Sequence, residues 1–203
     1  MTSLSVKPTT FRALDALQNL PWPDVVKPAA LDGKTVHAGV LLPVSYGPAG
    51  FSVVLTRRSL LVAHHKGEMC FPGGVREEAD LDIQSTALRE ASEEVGIIPH
   101  QVKIVGQLQP VLTKTGFKVW PIVGYIPADY GFHVNPDEVS EVIEVPLAAF
   151  SPEESSRQEA TLEGGLLQKR RSFVYGGRVI HGVTARILCG FMRIVVNELP
   201  EEA

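Results

Sequence analysis

The sequence predicts an α/β fold, because segments with strand patterns alternate with segments that have helical patterns. Residues 36–44 (VHAGVLLPV) and 50–56 (GFSVVLT) are short apolar runs rich in β-branched residues, which is typical of strands. Residues 85–95 and 182–199 instead place apolar side chains at helical spacing, and Gly96 stands where a left-handed residue commonly ends a helix. Strands and helices mixed along one chain in this way indicate a layered α/β domain.

The composition fits one domain that spans residues 1–203. Hydrophobic residues make up 44% of the chain, which is enough to bury a core. We expect an N-terminal helix at about residues 10–20, a core at about 34–150, and a C-terminal extension with a closing helix at about 151–199. A net charge of -4 and a pI near 5.9 argue against a nucleic-acid-binding surface, which is usually basic.

The sequence also bounds where the protein works. The N-terminus lacks a secretory pattern, and no run of 18 apolar residues is present. Cys70 and Cys189 are too few for a disulfide framework and have no metal-ligand spacing, so a reducing compartment is expected. We therefore expect a cytoplasmic protein with a small-molecule substrate, bound to neither nucleic acid nor membrane. The sequence leaves a homodimer open.

Further elements follow the helix at residues 85–95. Alternating or apolar runs predict strands at residues 101–111, 118–126 and 139–147, a turn at 113–116, a loop at 127–138 and a hairpin about Gly176 and Gly177. Pro121 limits its own strand to an edge or bulge position. Residues 151–169 are polar and acidic and receive no element, and the basic run 169–171 is interpreted as a solvated turn.

Three carboxylates are predicted to lie on one face of this helix. At about 100° per residue, Glu90, Glu93 and Glu94 lie on the same side of the helix predicted at residues 85–95. Like charges at this spacing cost a few tenths of a kcal/mol per pair, so the cluster needs either solvation or neutralisation. A solvated helix face is one interpretation and a bound divalent cation is the other. Arg89 lies beside Glu93 and can orient a carboxylate, and Asp80 before the helix is its candidate partner.

The stretch from Phe71 to Ile97 resembles the Nudix box, G-x5-E-x7-R-E-U-x-E-E-x-G-U with U aliphatic. The matching residues are Gly74, Arg89, Glu90, Ala91, Glu93, Glu94, Gly96 and Ile97. The interval from Gly74 to Arg89 is one residue longer than the general pattern, and Asp80 takes the first acidic position. Both departures resemble the coenzyme A pyrophosphatase branch, whose boxes contain FPGG, an Asp and then TALREA, as here at residues 71–74 and 86–91.

A second motif of that branch, L-L-T-x-R-[SA]-x3-R-x3-G-x3-F-P-G-G, lies just upstream. The residues in register are Leu55, Thr56, Arg58, Ser59, Gly67, Phe71, Pro72, Gly73 and Gly74, with Val54 at the first position. Ala63 stands at the second Arg position, where His64 and His65 could substitute in part. The run IHGVTARIL resembles the branch's C-terminal IWGLTARIL-like sequence, with His181 in place of Trp.

The resemblance implies an α/β/α sandwich around a mixed sheet and metal-dependent hydrolysis of the diphosphate of coenzyme A (CoA) or acyl-CoA. The products would be 3',5'-ADP and 4'-phosphopantetheine or its acyl derivative. All-oxygen ligands suit Mg2+ or Mn2+. Glu90 and Glu94 are the expected metal ligands, and Glu93 either joins them or acts through water. Arg89 would fix the carboxylates, and Glu138 and Glu141 are candidates for a further ligand or the general base. The expected substrate contacts are Arg58, Ser59, Thr56, Phe71, Gly73 and Gly74.

Two alternatives stay open at this point. The chain could be a Nudix hydrolase for ADP-ribose, dinucleotides or nucleoside triphosphates, which the loss of Arg at Ala63 keeps in play. It could also be a catalytically silent Nudix domain that senses a ligand. The intact acidic set Glu90, Glu93 and Glu94 disfavours the silent domain, because sensing requires no metal cluster.

Overall fold

The structure, a computed structural model, describes residues 15–23, 35–150, 156–163 and 166–195. Within these residues the main sheet has eight strands in the order β3-β2-β1-β7-β5, with β4 on β1, β6 on β7 and β8 on β2. The strands are β1 (Val36–Gly47), β2 (Gly50–Arg58), β3 (Met69–Cys70), β4 (Gly73–Val75), β5 (Lys103–Gln107), β6 (Val111–Leu112), β7 (Phe117–Tyr125) and β8 (Val139–Pro146). Because β1 and β7 are parallel and the other pairs antiparallel, the sheet is mixed.

One helix covers each face of this sheet. Helix α1 (Ile83–Val95) packs Ile83, Ala87 and Ala91 in one apolar cluster with Val54 of β2. Helix α2 (Gly182–Val195) belongs to a second cluster, with sheet residues such as Leu55 on the opposite face. Successive residues of a strand point to opposite faces of the sheet, so Val54 and Leu55 of β2 belong to different clusters. The predicted α/β/α sandwich around a mixed sheet is confirmed.

Helix α1 begins earlier than the sequence indicates. Its N-cap is Asp82, whose carboxylate accepts a hydrogen bond from the Ser85 N–H at 2.7 Å, a typical N-cap contact. The end is as predicted: Gly96 adopts φ 71°, and its N–H donates back to the Ala91 and Ser92 carbonyls. A left-handed glycine therefore terminates the helix and turns the chain toward the next strand.

The strand predicted at residues 101–111 is two strands, β5 and β6, with a break between them. Pro121 lies inside β7, which has β1 on one side and β5 and β6 on the other, so the edge position is wrong. The Pro121 carbonyl accepts from the Leu108 N–H at 3.0 Å, in the break. Proline has no N–H to donate to a neighbouring antiparallel strand. Because the neighbouring strand is interrupted opposite Pro121, the missing hydrogen bond is tolerated there.

The C-terminal part holds a second sheet that the sequence reading missed in part. Strands β9 (Ser156–Glu163), β10 (Leu166–Tyr175) and β11 (Arg178–Ile180) form it in the order β11-β10-β9. The hairpin about Gly176 and Gly177 is confirmed, because Tyr175 pairs with Arg178 across it. The backbone of residues 169–171 lies in β10, so their interpretation as a turn is wrong.

The predicted terminal helices are covered only in part. Residues 15–18 are helical and Leu17 is fully buried, whereas residues 10–14 of the predicted N-terminal helix lie outside the described residues. Helix α2 confirms the closing helix up to Val195, and residues 196–199 also lie outside them. In the described part of the chain, no helix has the length and apolar character needed to cross a membrane.

Candidate active site

Three glycines bring helix α1 close to the sheet. A Cβ at Gly39 in β1 would lie 2.5 Å from the Ile83 carbonyl oxygen, so the helix rests directly on the strand backbone. A Cβ at Gly73 would lie 2.5 Å from the Gly39 carbonyl oxygen, and one at Gly74 would lie 2.6 Å from the Glu90 carboxylate. Side-chain-free positions are therefore required for the backbone contact and for the space that Glu90 occupies.

The loop of residues 127–138 binds the C-terminal end of the same helix. The His133 N–H donates to the Val95 carbonyl at 3.0 Å, and the Asn135 N–H donates to the Glu94 carbonyl at 2.9 Å. These bonds satisfy carbonyls that the last helical turn leaves unpaired. The Glu138 N–H then donates to the Asn135 carbonyl at 3.1 Å, which fixes Glu138 next to the helix.

Arg89 links the acidic residues as the sequence predicts. Its Nε and Nη2 donate to the two Asp80 carboxylate oxygens at 3.0 and 3.1 Å. Its Nη1 lies 2.9 Å from Glu90 Oε1 and 3.0 Å from Glu93 Oε2. The hydrogen bonds from Arg89 lower the pKa of the buried Asp80 to about 2. Arg89 is therefore anchored on Asp80 and holds two helix carboxylates in place.

Glu94 is the most buried of the three helix carboxylates, with only 4% of its surface exposed. Its Oε2 accepts from the Gly73 N–H at 3.3 Å. Burial raises the pKa of Glu94 to about 8, with Arg58 opposing this shift and Glu90 and Glu138 adding to it. Burial likewise raises the pKa of Glu90. The three carboxylates on the predicted common face thus differ in burial, because the Glu93 side chain is exposed (53%) whereas Glu94 faces the sheet.

The structure brings only one of the two predicted outside carboxylates to this cluster. Glu138 is close enough to raise the pKa of both Glu90 and Glu94. Glu141 pairs in register with Arg57, whose Nε lies 3.3 Å from Glu141 Oε2, and it also forms an ion pair with Arg178 of β11.

The ion pairs place Glu141 on the far side of the sheet. Arg57 follows Leu55 by two residues in β2 and shares its face, which is the face that α2 covers. The hydrogen bond from Arg178 lowers the pKa of Glu141. Glu141 therefore belongs to a structural ion-pair group, away from the carboxylates of α1.

The upstream motif contributes a cation at the cluster. Arg58 Nη1 lies 3.9 Å from Glu94 Oε1, and the buried Arg58 Nε has no hydrogen-bond partner among the described residues. The Ser59 N–H donates to the Glu138 carbonyl at 2.8 Å, so β2 and the loop before β8 are tied together beside Arg58. The Arg58 side chain is 29% exposed, so its guanidinium can donate hydrogen bonds to a bound anion.

Three other residues predicted to contact the substrate make contacts within the fold. Phe71 is buried in the apolar cluster that includes α2. The Thr56 hydroxyl is fully buried, donates to the Cys70 carbonyl at 3.3 Å and lies 3.2 Å from Cys70 Sγ. The Ser59 hydroxyl accepts from the Leu61 N–H at 3.2 Å and shapes its own loop. Burial raises the pKa of the Cys70 thiol to about 11, so it stays neutral.

The sequence reading missed residues that position the site. Asp82 could have been found, because an Asp three residues before Ser85 is a typical N-cap signal. Gly39 and Asn135 carry no such local signal, since their roles depend on contacts with α1 across the chain. Thr86 is similar: its hydroxyl donates to Asp80 at 2.9 Å and helps to fix the anchor of Arg89.

The donor chemistry fits a hard divalent cation, although the side chains are not gathered around one point. Within the described ranges, no group of three His, Cys, Asp or Glu side chains is arranged to hold a metal ion, and Arg89 contacts Glu90 and Glu93. The half-buried Glu90 and the buried Glu94 nevertheless supply only oxygen donors, and a bound cation would favour the ionised carboxylates that burial disfavours.

Comparison with known proteins agrees with this geometry. Residues 35–180 match the NUDIX domain model. "Uncharacterized Nudix hydrolase NudL" from Photorhabdus laumondii is 40% identical over 162 residues, covering 79% of this chain and 86% of that protein. The protein of the same name from Klebsiella pneumoniae is 47% identical over 112 residues, covering 55% of this chain and 58% of the relative.

A solved structure supports the fold. The Nudix hydrolase RenU from M. smegmatis superposes with a TM-score of 0.54 at 18% identity, covering 81% of this chain and 87% of RenU. At this level of identity the likeness concerns the fold alone. The family model spans most of the chain and the box residues form the clustered helix face, so the chain belongs to the Nudix hydrolase family.

Proposed function

We propose that this Nudix hydrolase cleaves the diphosphate of CoA or acyl-CoA to 3',5'-ADP and 4'-phosphopantetheine or its acyl derivative. The observation that carries the proposal is the contact of Arg58 with Glu94, at 3.9 Å. Arg58 belongs to the motif that resembles the CoA branch, and Glu94 belongs to the Nudix box. Their contact puts a partly exposed cation beside the buried carboxylate, where a diphosphate can be bound.

Nudix hydrolases generally use divalent ions such as Mg2+ or Mn2+. In this chain Glu90 and Glu94 would hold the ion, with Glu93 joining them or acting through water from the exposed side. The bound ion would supply neutralising charge for the diphosphate oxygens during hydrolysis. Glu94 binds a cation only when ionised, so we expect metal affinity to increase as the pH rises toward about 8.

The protein groups around the diphosphate have distinct tasks. Arg58 would bind a phosphate oxygen, and the chain at Gly73 and Gly74 leaves the carboxylates room to approach it. Arg89 would hold Glu90 and Glu93 in orientation without touching the substrate. We propose Glu138 as the base that takes a proton from water, because its carboxylate has no ion-pair partner within the described ranges. Glu141 is less suited, since two arginines engage it.

Another diphosphate is the second candidate substrate. The observation in its favour is Ala63, which is exposed on the loop after β2 and offers no cation where the CoA branch has Arg. CoA carries a charged 3'-phosphate in addition to its diphosphate. ADP-ribose, dinucleotides and nucleoside triphosphates lack this group or carry their further charges at other positions. The absence of Arg at position 63 would therefore weaken the binding of these compounds less than that of CoA.

The test is a substrate panel with Mg2+: CoA, dephospho-CoA, ADP-ribose, NADH and dATP, with the products separated by chromatography. We expect 3',5'-ADP from CoA as the main product. Because CoA and dephospho-CoA share the diphosphate that Arg58 would bind, Arg58→Ala should lower kcat/KM for both by a similar factor; a larger loss with CoA would assign Arg58 to the 3'-phosphate. Arg57→Ala is the matched control, because this adjacent arginine lies on the other sheet face with Glu141. Faster hydrolysis of another compound than of CoA would refute the proposal.

A further inference from the structure

The loop between β2 and β3 exposes two consecutive leucines. Leu60 is 70% exposed and Leu61 is 73% exposed, and they are adjacent in the chain, unlike the other large exposed apolar residues of the described ranges. Single exposed apolar residues are common on protein surfaces, whereas adjoining ones more often mark a binding surface. We call Leu60 and Leu61 the leucine pair.

The loop that carries the leucine pair is held in a defined shape. The Gly67 N–H donates to the Arg58 carbonyl at 3.1 Å, and the Arg58 N–H donates to the Glu68 carbonyl at 3.0 Å, which closes the base of the loop. The Leu61 N–H donates to Ser59 Oγ at 3.2 Å. Hydrogen bonds therefore hold both the base of the loop and the backbone at Leu61.

The base of this loop lies at the candidate active site. Arg58 contacts Glu94, and Ser59 is hydrogen-bonded to the Glu138 backbone. Consecutive Cα atoms are about 3.8 Å apart, so the Cα of Leu60 lies within about 7.6 Å of the Cα of Arg58. A substituent of a diphosphate bound at Arg58 can therefore reach the leucine pair.

The chemistry of the two substituents of CoA differs. On one side of the diphosphate stands a ribose with a 3'-phosphate, which is polar and charged. On the other side the pantetheine arm carries, close to the phosphate, a quaternary carbon with two methyl groups. Contact between leucine side chains and such methyl groups removes apolar surface from water and so favours binding. Contact with a phosphorylated sugar gives no such free-energy gain.

We propose that the leucine pair binds the methyl-bearing start of the pantetheine arm and so selects pantetheine diphosphates over diphosphates of two sugars. This inference rests on the proposed function. It assigns to Leu60 and Leu61 a specificity role that is separate from the charge contact of Arg58. The pair contacts a part of the substrate that does not react, so its contribution appears mainly in the discrimination between substrates.

The test compares dephospho-CoA with ADP-ribose, which share the ADP half and differ in the group that would meet the leucines. Leu60→Ser and Leu61→Ser should each lower kcat/KM for dephospho-CoA about tenfold and leave that for ADP-ribose within about twofold. The inhibition constant of 4'-phosphopantetheine should rise by a similar factor, while that of 3',5'-ADP stays unchanged. Leu112→Ser, at a leucine that is 60% exposed on β6, is the matched control and should change none of these values.

Three results would overturn the inference. Equal losses on both substrates would mean that the loop only positions Arg58. Unchanged kinetics together with a changed oligomeric state in size-exclusion chromatography would assign the leucine pair to contact between copies of the chain. Wild-type enzyme that hydrolyses ADP-ribose but neither CoA nor dephospho-CoA would refute the proposed function itself, a result visible before any variant is compared.

Discussion

Replacing Glu94 by Gln is expected to make the protein more stable and far less active. Burial raises the pKa of Glu94 from 4.5 to about 8. The folded state therefore binds a proton at Glu94 more tightly than the unfolded chain does, and the stability from this group is present below pH 4.5 and lost as the pH rises through 8. At about 1.4 kcal/mol per pKa unit, ionised Glu94 costs the metal-free fold on the order of 3–5 kcal/mol.

Gln cannot ionise and so avoids this cost. In a chelating buffer at pH 9, Glu94→Gln should melt about 6–20 °C above the wild type, because about 1 kcal/mol corresponds to 2–4 °C in a chain of this size. Below pH 4.5 the two proteins should melt at similar temperatures. With Mg2+ present, hydrolysis by the variant should be several hundredfold slower, since a strong charge at the reacting diphosphate is lost.

The assay is thermal unfolding by circular dichroism from pH 4 to 9 with EDTA, repeated with Mg2+. Glu93→Gln removes the same charge from an exposed position of the same helix and should shift the melting temperature by less than about 2 °C at every pH. A Glu94→Gln protein that melts at or below the wild-type temperature at pH 9 would refute the reasoning. So would a difference between the two proteins that does not change with pH.

Three further changes test the surroundings of the site. Asp80→Asn should lower the free energy of unfolding by about 2–3 kcal/mol in urea titrations above pH 4, because Arg89 loses its buried partner. This difference in unfolding free energy from the wild type should decrease as the pH falls from 3.8 toward 2, where Asp80 itself becomes neutral. A difference that stays constant with pH would contradict this prediction. Gly74→Ala should lower kcat at least tenfold, because the added Cβ displaces the carboxylate of Glu90. The free energy of unfolding should fall by less than about 1 kcal/mol, because only the end of the Glu90 side chain has to move. An unchanged kcat would contradict this prediction. Ala63→Arg should lower KM for CoA several-fold at similar kcat, and an equal or higher KM would deny the position a substrate contact.

Much of the fold could be read locally. Gly96 ends α1 as predicted because a left-handed C-cap depends on one residue and its neighbours. The strands at β1 and β2 and the hairpin at Gly176 were likewise visible in short patterns. Strand β9 was missed, because a polar, acidic segment shows a strand only through its pairing with β10. The place of Pro121 inside the sheet also depended on a partner strand, which breaks where the proline lies.

The sequence by itself determined the chemistry of this protein: the acidic residues Glu90, Glu93 and Glu94 at helical spacing, Arg89 with Asp80, and the glycine pair before them. Only the tertiary structure decided how these groups differ. Spacing along a helix assigns a face but no depth, and it is packing against Gly73 that buries Glu94 and raises its pKa. Likewise, strand pairing in the sheet sends Glu141 to the far face with Arg57 while the turn at Asn135 keeps Glu138 beside α1. Those distances join residues far apart in the chain, and no local pattern encodes them.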